Sequence, residues 1–439
     1  MEHTLEQLQS GQLAGAKRVQ LSCNLTTFPE ALFSLADTLE ILDLSNNQLT
    51  HLPNNFARFT RLKVFFASNN PFTVFPQVLG QCTQLEMIGF KSCRIQHIPS
   101  QSFPPALKWL ILTNNQLQQL PNDIGACTYL QKLMLAGNQL QSLPNTLAHC
   151  QHLQLLRISA NQLTHLPEWL LQMPRLAWLA FAGNPFVQPP AMATQLPLYQ
   201  WSHLQINHLL GQGASGNIYH ATYLPTNEQV AVKEFKGQVT SDGLPDDEIN
   251  ACILAGRHPH LVPVLGVVAQ HPQQKQALVF DLIPSQYQIL GITPTFESCT
   301  RDVYAPNTRF SIAQICTIAI ALAQVCVQLH YKKLSHGDVY AHNILINEQQ
   351  HCIFGDFGAA TIYQSLPPTY HLPLQQIEVR AFGYLLDDLL QHAETNTPSE
   401  GSTLQLLHLL RQQCLQHTVA ERPLFAQILQ QLLVCNTAA

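Results

Sequence analysis

The sequence predicts a multidomain chain: an α/β solenoid of stacked repeats, followed by an α+β domain that carries the chemistry. Three observations predict this. A leucine phrase recurs at a fixed spacing over residues 39–186. The spacing ends in a proline-rich stretch. A glycine-rich phrase, a strand-borne lysine and two aspartate-containing phrases then follow in order.

The phrase L-x-x-L-x-L-x-x-N begins at Leu39, Leu62, Leu85, Leu107, Leu130, Leu153 and Leu176, at intervals of 23, 23, 22, 23, 23 and 23 residues. An eroded copy, Val19 to Asn24, precedes them and reads as a cap. Most copies continue to a proline, at Pro53, Pro76, Pro99, Pro121, Pro144 and Pro167. A fixed period of this kind means a solenoid, because one repeat cannot bury its apolar face but stacked repeats can. The fourth and sixth residues, Leu42 and Leu44 for example, point inward from a short strand. The ninth is Asn47, Asn70, Asn115, Asn138, Asn161 or Asn184, with Cys93 once. Its amide satisfies backbone groups where the chain leaves the strand, so stacked copies form a ladder. These phrases resemble the leucine-rich repeat family, in its intracellular Leu-Pro type, over about residues 17–190. The resemblance implies a horseshoe in which the third, fifth and seventh positions face outward from the concave sheet. There Phe66, Met87, Trp109, Ile111, Met134 and Trp178 form an apolar stripe. Contiguous apolar patches mark contact sites. The stripe is therefore expected to bind a protein substrate or regulator, or to dock on the chain's own second domain.

Composition narrows the function. Charged residues are only 11%, the net charge is −5 and the pI is near 6.4, which argues against a nucleic-acid binder. The 12 cysteines include no C-x-x-C pair for zinc. Cys82, Cys127 and Cys150 each stand three residues before a repeat's first leucine, where Phe59 and Met173 stand in sister repeats. They read as small core residues in a reducing cytoplasm. The N-terminus lacks a signal-peptide profile, and a cytoplasmic location is expected. Residues 310–330 carry no charge, but Gln314, Gln324 and Gln328 interrupt them, so a buried core helix is expected rather than a membrane span.

Residues 187–202 carry Pro189, Pro190 and Pro197 and lose the repeat period. The organisation is accordingly a repeat domain over 1–190, a stiff linker over 191–202 and a second domain over 203–437. The second domain opens with Leu210-Gly211-Gln212-Gly213-Ala214-Ser215-Gly216-Asn217-Ile218. The next apolar run, Gln229 to Lys233, is a strand rather than a helix, which turns the reading away from a dinucleotide fold. Glycines between two strands let backbone amides approach phosphates, and Lys233 supplies positive charge. Glu248 follows fifteen residues later on a helical pattern and is placed to pair with Lys233. Val279-Phe280-Asp281-Leu282 reads as a strand entering a hinge. His336-Gly337-Asp338 then precedes Asn343 by five residues from Asp338, and Gly355-Asp356-Phe357-Gly358 follows.

In this order the phrases resemble the eukaryotic-like protein kinase fold over about residues 203–437. The resemblance implies two lobes, ATP, and Mg²⁺ or Mn²⁺. It implies that Asp338 orients and deprotonates the acceptor hydroxyl, that Asn343 and Asp356 hold the metal, and that Lys233 clamps the nucleotide. Leu210 to Ile218, Ala231, Glu248 and Leu282 would shape the ATP pocket. His336 is expected to pack against Phe357 as core. There are departures. Gly337 replaces the arginine that usually precedes the catalytic aspartate, Tyr340 replaces a lysine, and no Ala-Pro-Glu occurs. Glu378 resembles the acidic start of a later helix, and Arg422 lacks its usual glutamate. The expected function is phosphate transfer from ATP to protein hydroxyls, serine/threonine ahead of tyrosine, with the repeats as interaction module. The alternatives are a pseudokinase scaffold and, further off, a small-molecule kinase.

Overall fold

The structure is a computed structural model that describes residues 2–188, 196–213, 215–237, 239–240, 242–394 and 401–436. It divides into two compact units, Met1–Arg175 and Leu176–Ala439. The last leucine phrase, placed above in the repeat domain, thus packs with the second unit. Of the expected linker, residues 191–195 lie outside the described residues.

The first unit opens with helix α1 (Leu5–Gln9), whose start is closed by a reciprocal capping box between Thr4 and Gln7. Strands of three residues each follow: β1 (Arg18–Gln20), β2 (Ile41–Asp43), β3 (Val64–Phe66), β4 (Met87–Gly89), β5 (Trp109–Ile111), β6 (Lys132–Met134) and β7 (Leu155–Arg157). They pair in parallel and in sequence order, each residue opposite its counterpart one period away. Short 3₁₀ turns opened by Pro76, Pro121 and Pro144 return the chain on the opposite side. The leucines of the phrase are fully buried between these layers. Asn138 shows how a rung is held. Its Nδ2 donates to the carbonyls of Leu112 and Leu135, both at 2.9 Å, and its Oδ1 accepts from Leu117 N at 3.1 Å. Cys93, in the same position of its repeat, offers only a thiol to Ala67 O at 3.4 Å. Cys82, Cys127 and Cys150 are buried free thiols, pushed up to about 12, 12 and 11 by burial.

The apolar stripe departs from expectation. Met87 is buried, and Phe66, Trp109, Ile111 and Met134 are half-buried; none is exposed. Neighbouring rungs cover one another, since parallel strands lie about 4.8 Å apart and side chains in register touch. The Lys132 ammonium sits 3.9 Å from the centre of the Trp109 ring. The Phe66 ring lies where a Cβ on Gly89 would be.

The second unit begins with the eighth phrase, whose strand β8 (Trp178–Ala180) is buried throughout. Strand β9 (Leu198–Gln200) lies inside the expected linker, yet it pairs in parallel with β13 (Val264–Ala269). The smaller lobe's sheet runs β10 (Leu204–Gln212), β11 (Gly216–Tyr223), β12 (Glu228–Phe235), β14 (Ala277–Asp281), β13, β9. Its core is Leu204, Ala221, Val230, Val232, Val268, Ala277 and Val279. Helix α2 (Pro245–Ala255) meets β12 through Glu248 and Lys233.

The larger lobe is helical. Strand β15 (Gln288–Ile289) is followed by α3 (Ile312–Tyr331), the charge-free segment. By length and composition alone α3 could cross a membrane. Ile315, Ala319, Leu322, Val325, Cys326 and Leu329 are instead buried in the lobe. Strands β16 (Leu334–Ser335), β17 (Ile344–Ile346), β18 (Cys352–Phe354) and β19 (Thr361–Ile362) carry the loops of the site, and α4 (Pro368–Gln391), α5 (Gly401–Cys414) and α6 (Phe425–Asn436) close the lobe.

Removing one rung tests the ladder. Asn138→Ala leaves Leu117 N buried without its acceptor and takes one of two amide donors from Leu112 O and Leu135 O, which keep Asn115 and Asn161, and should cost about 1–3 kcal/mol. Urea unfolding of the full chain reads this; an unchanged midpoint would show that the ladder does not carry the stack.

Candidate active site

Strands β10 and β11 form the hairpin that holds the glycine phrase, closed by Gly213 N donating to Gly216 O at 2.9 Å. The three glycines differ in their roles. A Cβ on Gly216 would stand 2.6 Å from Glu234 O, so the fold itself requires glycine there. Around Gly211 there is open space, which lets a ligand approach the backbone. Leu210 and Ile218 are exposed on the flanks of the turn. Gln212 pairs with Asn217 across it, and Ser215 is buried. Ala214 lies outside the described residues.

The register of β12 with β14 sets Ala231 opposite Phe280 and Lys233 opposite Leu278. Leu282 follows the end of β14 and is half-buried. Helix α2 begins with Pro245 and carries Asp246, Asp247 and Glu248 in its first turn, where the helix dipole favours acids. Glu248 thereby meets Lys233, Nζ to Oε1 at 2.5 Å, and Lys233 also reaches Asp356 Oδ1 at 3.3 Å. Burial opposes the charge on Lys233, but the carboxylates of Asp356 and Glu248 outweigh it and hold its pKa above the ordinary value. Burial pushes Glu248 up to about 7 while Lys233 pulls it back. Asp356 is held below the usual carboxylate range, chiefly by Lys233 and also by Gly358 N at 3.2 Å.

Asp338 and Asn343 form a second pair. Asn343 Nδ2 donates to Asp338 Oδ2 at 2.8 Å and to Asp338 O at 2.9 Å. This directs the Asn343 amide and leaves its Oδ1 as an acceptor. Oxygen donors from Asn343 and Asp356 are the chemistry that suits Mg²⁺ or Mn²⁺, cations that take one or two protein ligands and complete their shell with phosphate and water. His336 behaves as expected. It is fully buried, stacked on Phe354 at 4.0 Å and 4.9 Å from Phe357, and donates Nε2 to Gly355 O at 3.1 Å. Burial lowers its pKa, so it stays neutral and structural.

The acceptor side departs from the expected layout. Helix α4 starts at Pro368, so Glu378 lies inside the helix rather than opening it. Glu378 is buried and accepts from Gly337 N and His330 Nε2, each at 2.6 Å. Burial works against its charge, but these two donors hold its pKa below the usual range. Gly337 has φ +73, and a Cβ there would collide with Ala359 O and stand 3.0 Å from Leu179 O. No arginine fits that slot. Trp178 takes the docking alternative of the stripe: it is buried against the loop that bears Asp338. Its Nε1 donates to Val339 O at 3.0 Å, and its ring stacks on Tyr340 at 4.5 Å and on Tyr384 at 5.3 Å. On the far side of Tyr340 lies His342, 4.8 Å between ring centres, whose Nδ1 meets Asp302 Oδ1 at 2.7 Å. Burial disfavours the charge on His342, but the bond to Asp302 lifts its pKa above the ordinary value. Arg422 donates to the carbonyls of Gln416 at 3.0 Å and Gln376 at 3.1 Å, which ties the turn after α5 to α4.

Sequence reasoning missed Trp178, Glu378 and Asp302 as supports of the catalytic loop. Gly337 was the available signal: a glycine standing where a large residue is usual marks a close backbone approach.

Comparison with known proteins agrees with this geometry. Residues 204–380 match the protein tyrosine and serine/threonine kinase family, and residues 38–59 and 128–186 match leucine-rich repeats. The chain thus carries leucine-rich repeats and, over residues 204–380, a protein kinase domain. A probable cyclin-dependent serine/threonine-protein kinase of Dictyostelium discoideum is 27% identical over 154 residues, 35% of this chain and 22% of that one. An L-type lectin-domain containing receptor kinase of Oryza sativa subsp. japonica is 28% identical over 203 residues, 45% of this chain and 27% of that one. The megakaryocyte-associated tyrosine-protein kinase of Mus musculus is 24% identical over 262 residues, 52% and 48%. The matches thus span under half the length of each of these relatives.

The charge cluster makes a stability prediction with a defined pH sign. Lys233→Met leaves Glu248 buried without its cation, which should cost about 3–5 kcal/mol near neutral pH. The Glu248 pKa in the folded state then rises further above its unfolded value. A carboxyl raised in this way favours folding while protonated and loses that contribution as pH increases. Because burial already pushes wild-type Glu248 up to about 7, the gap in Tm between wild type and variant should widen from about pH 7 to pH 9. A gap constant over that range would show that Glu248 does not depend on Lys233.

Proposed function

We propose that this protein is an active kinase that transfers the γ-phosphate of ATP to hydroxyl groups of proteins, serine or threonine before tyrosine. The observation that carries this reading is the convergence of Lys233, Glu248 and Asp356 beside the hydrogen-bonded pair Asp338 and Asn343. Phosphoryl transfer needs positioning and charge neutralisation more than covalent chemistry, and these are the groups that supply both. Serine/threonine-type names among the relatives, the Dictyostelium discoideum kinase among them, support the preferred acceptor.

In this reading Lys233, held by Glu248, binds the α and β phosphates. The backbone of the Leu210–Ile218 turn covers them, and Ala231 and Leu282 flank the adenine. Asn343 and Asp356 would hold Mg²⁺ or Mn²⁺; when bound, the cation neutralises charge on the phosphate oxygens. Asp338 accepts the proton of the acceptor hydroxyl and aims its oxygen. Tyr340 supplies no cation, so the charge on the transferred group must be met from the Lys233 side. The repeat array is proposed to recruit a protein substrate or regulator. The described cysteines are free thiols, which supports a reducing cytoplasm as the place of action.

Transfer from γ-labelled ATP with Mg²⁺ or Mn²⁺ tests the reading, with modified residues mapped by mass spectrometry. Wild type should become labelled on serine or threonine, and Asp338→Asn should lower the rate about 10²–10⁴-fold, the usual contribution of a general base. Absence of label from wild type, with ATP still bound, would replace the kinase by a nucleotide-binding scaffold.

A further inference from the structure

We propose that Trp178 is a positioning residue for Asp338, and that strand β8 clamps the catalytic loop in place of a phosphorylated activation segment; this rests on the kinase reading above. Four observations meet here. The Trp178 Nε1–H bonds the carbonyl of Val339, the residue directly after Asp338. The Trp178 ring lies 3° from parallel with Tyr340, two residues after Asp338, and stacks on Tyr384 of α4 as well. Leu179 O stands 3.0 Å from where a Cβ on Gly337, directly before Asp338, would lie. Phe181 N donates to Thr361 Oγ1 at 3.2 Å, fixing the segment that follows Gly358.

Asp338 is thus bracketed. The residue before it and the two after it are each in contact with β8. From the opposite side Glu378 holds Gly337 N. An aspartate must keep its carboxylate aimed within a fraction of an ångström to act on a hydroxyl. In a loop that carries an arginine before the aspartate, a phosphate on the activation segment can pull the two together. Here that cation is absent, its space is filled by backbone, and only residues 359–367 separate Gly358 from α4. The repeat strand supplies the same restraint permanently, by stacking and one hydrogen bond. The kinase is therefore assembled on folding and needs no loop phosphorylation.

The test uses full-length Trp178→Ala and Trp178→Phe, with Tyr129→Ala, an exposed repeat residue, as control. Hydrogen–deuterium exchange of residues 336–343 and steady-state kinetics are read on each. Expected are faster exchange of that segment and a fall in kcat of about 10²-fold in Trp178→Ala, with KM for ATP unchanged. Trp178→Phe keeps the stacking and should recover most of kcat. Tyr129→Ala should match wild type. Unchanged exchange and kcat in Trp178→Ala overturns the proposal, as does a loss of ATP affinity equal to the loss of rate, which would mark general unfolding. If Trp178→Ala does not fold, Trp178→Phe decides through exchange, because it keeps the stacking and loses the bond to Val339 O: faster exchange of residues 336–343 supports the clamp, and wild-type exchange overturns it. If wild type transfers no phosphate while exchange still rises in Trp178→Ala, the kinase reading fails and the clamp on the loop stands. Phosphorylation of residues 359–367 as a requirement for activity would overturn the proposal directly.

Discussion

The catalytic loop hangs on one buried carboxylate. Glu378 sits inside α4, closed off from water, and a bare charge there would be very costly. It is held because His330 on α3 and the amide of Gly337 both donate to it. One side chain thereby ties two helices to the residue before Asp338. The backbone of Gly337 adopts a left-handed conformation to reach it, and that conformation together with the nearby carbonyls excludes any side chain. Loss of the usual arginine follows from this packing. It is a consequence of how the loop is anchored, not a missing part in an otherwise standard site.

The site consequently has two halves of different character. The nucleotide half is electrostatic. Lys233 is drawn by two acids, one on α2 and one on the loop after β18, so a lobe sheet, a helix and a loop are joined through one ammonium. The acceptor half is aromatic. Trp178, Tyr340, His342 and Tyr384 stack around the loop that bears Asp338, and a short turn leads straight into α4. Charge in a buried place needs its partners in fixed positions, and here the charged half is the one whose residues keep the usual kinase types. Stacked rings tolerate more variation in identity, and this half is where the sequence departs from the family.

Much of this was legible in the sequence because it depends on local order. The 23-residue phrase reports which leucines are buried and which asparagines turn inward, since both follow from strand alternation and a constant stacking distance. The order of Gly211, Lys233, Glu248, Asp338, Asn343 and Asp356 predicts one site, and the structure joins Lys233, Glu248 and Asp356 and pairs Asp338 with Asn343. The stripe was misjudged because exposure of a side chain on one rung depends on the neighbouring rungs: Lys132 lies over Trp109, and Phe66 fills the space above Gly89. Leu198–Gln200 was read as linker because Pro197 and the prolines before it hid a strand that acquires its pairing from β13.

By itself the sequence determined the two architectures, the phase of the repeats, and which residue types gather around Lys233. Those features rest on periodicity and on residue types that phosphate chemistry demands. Only the tertiary structure decided what the acceptor side looks like. Trp178 meets Val339 across 161 residues of chain, and Glu378 meets Gly337 across 41. Such contacts leave no periodic trace, because they are selected by the shape of two surfaces that form only after each has folded.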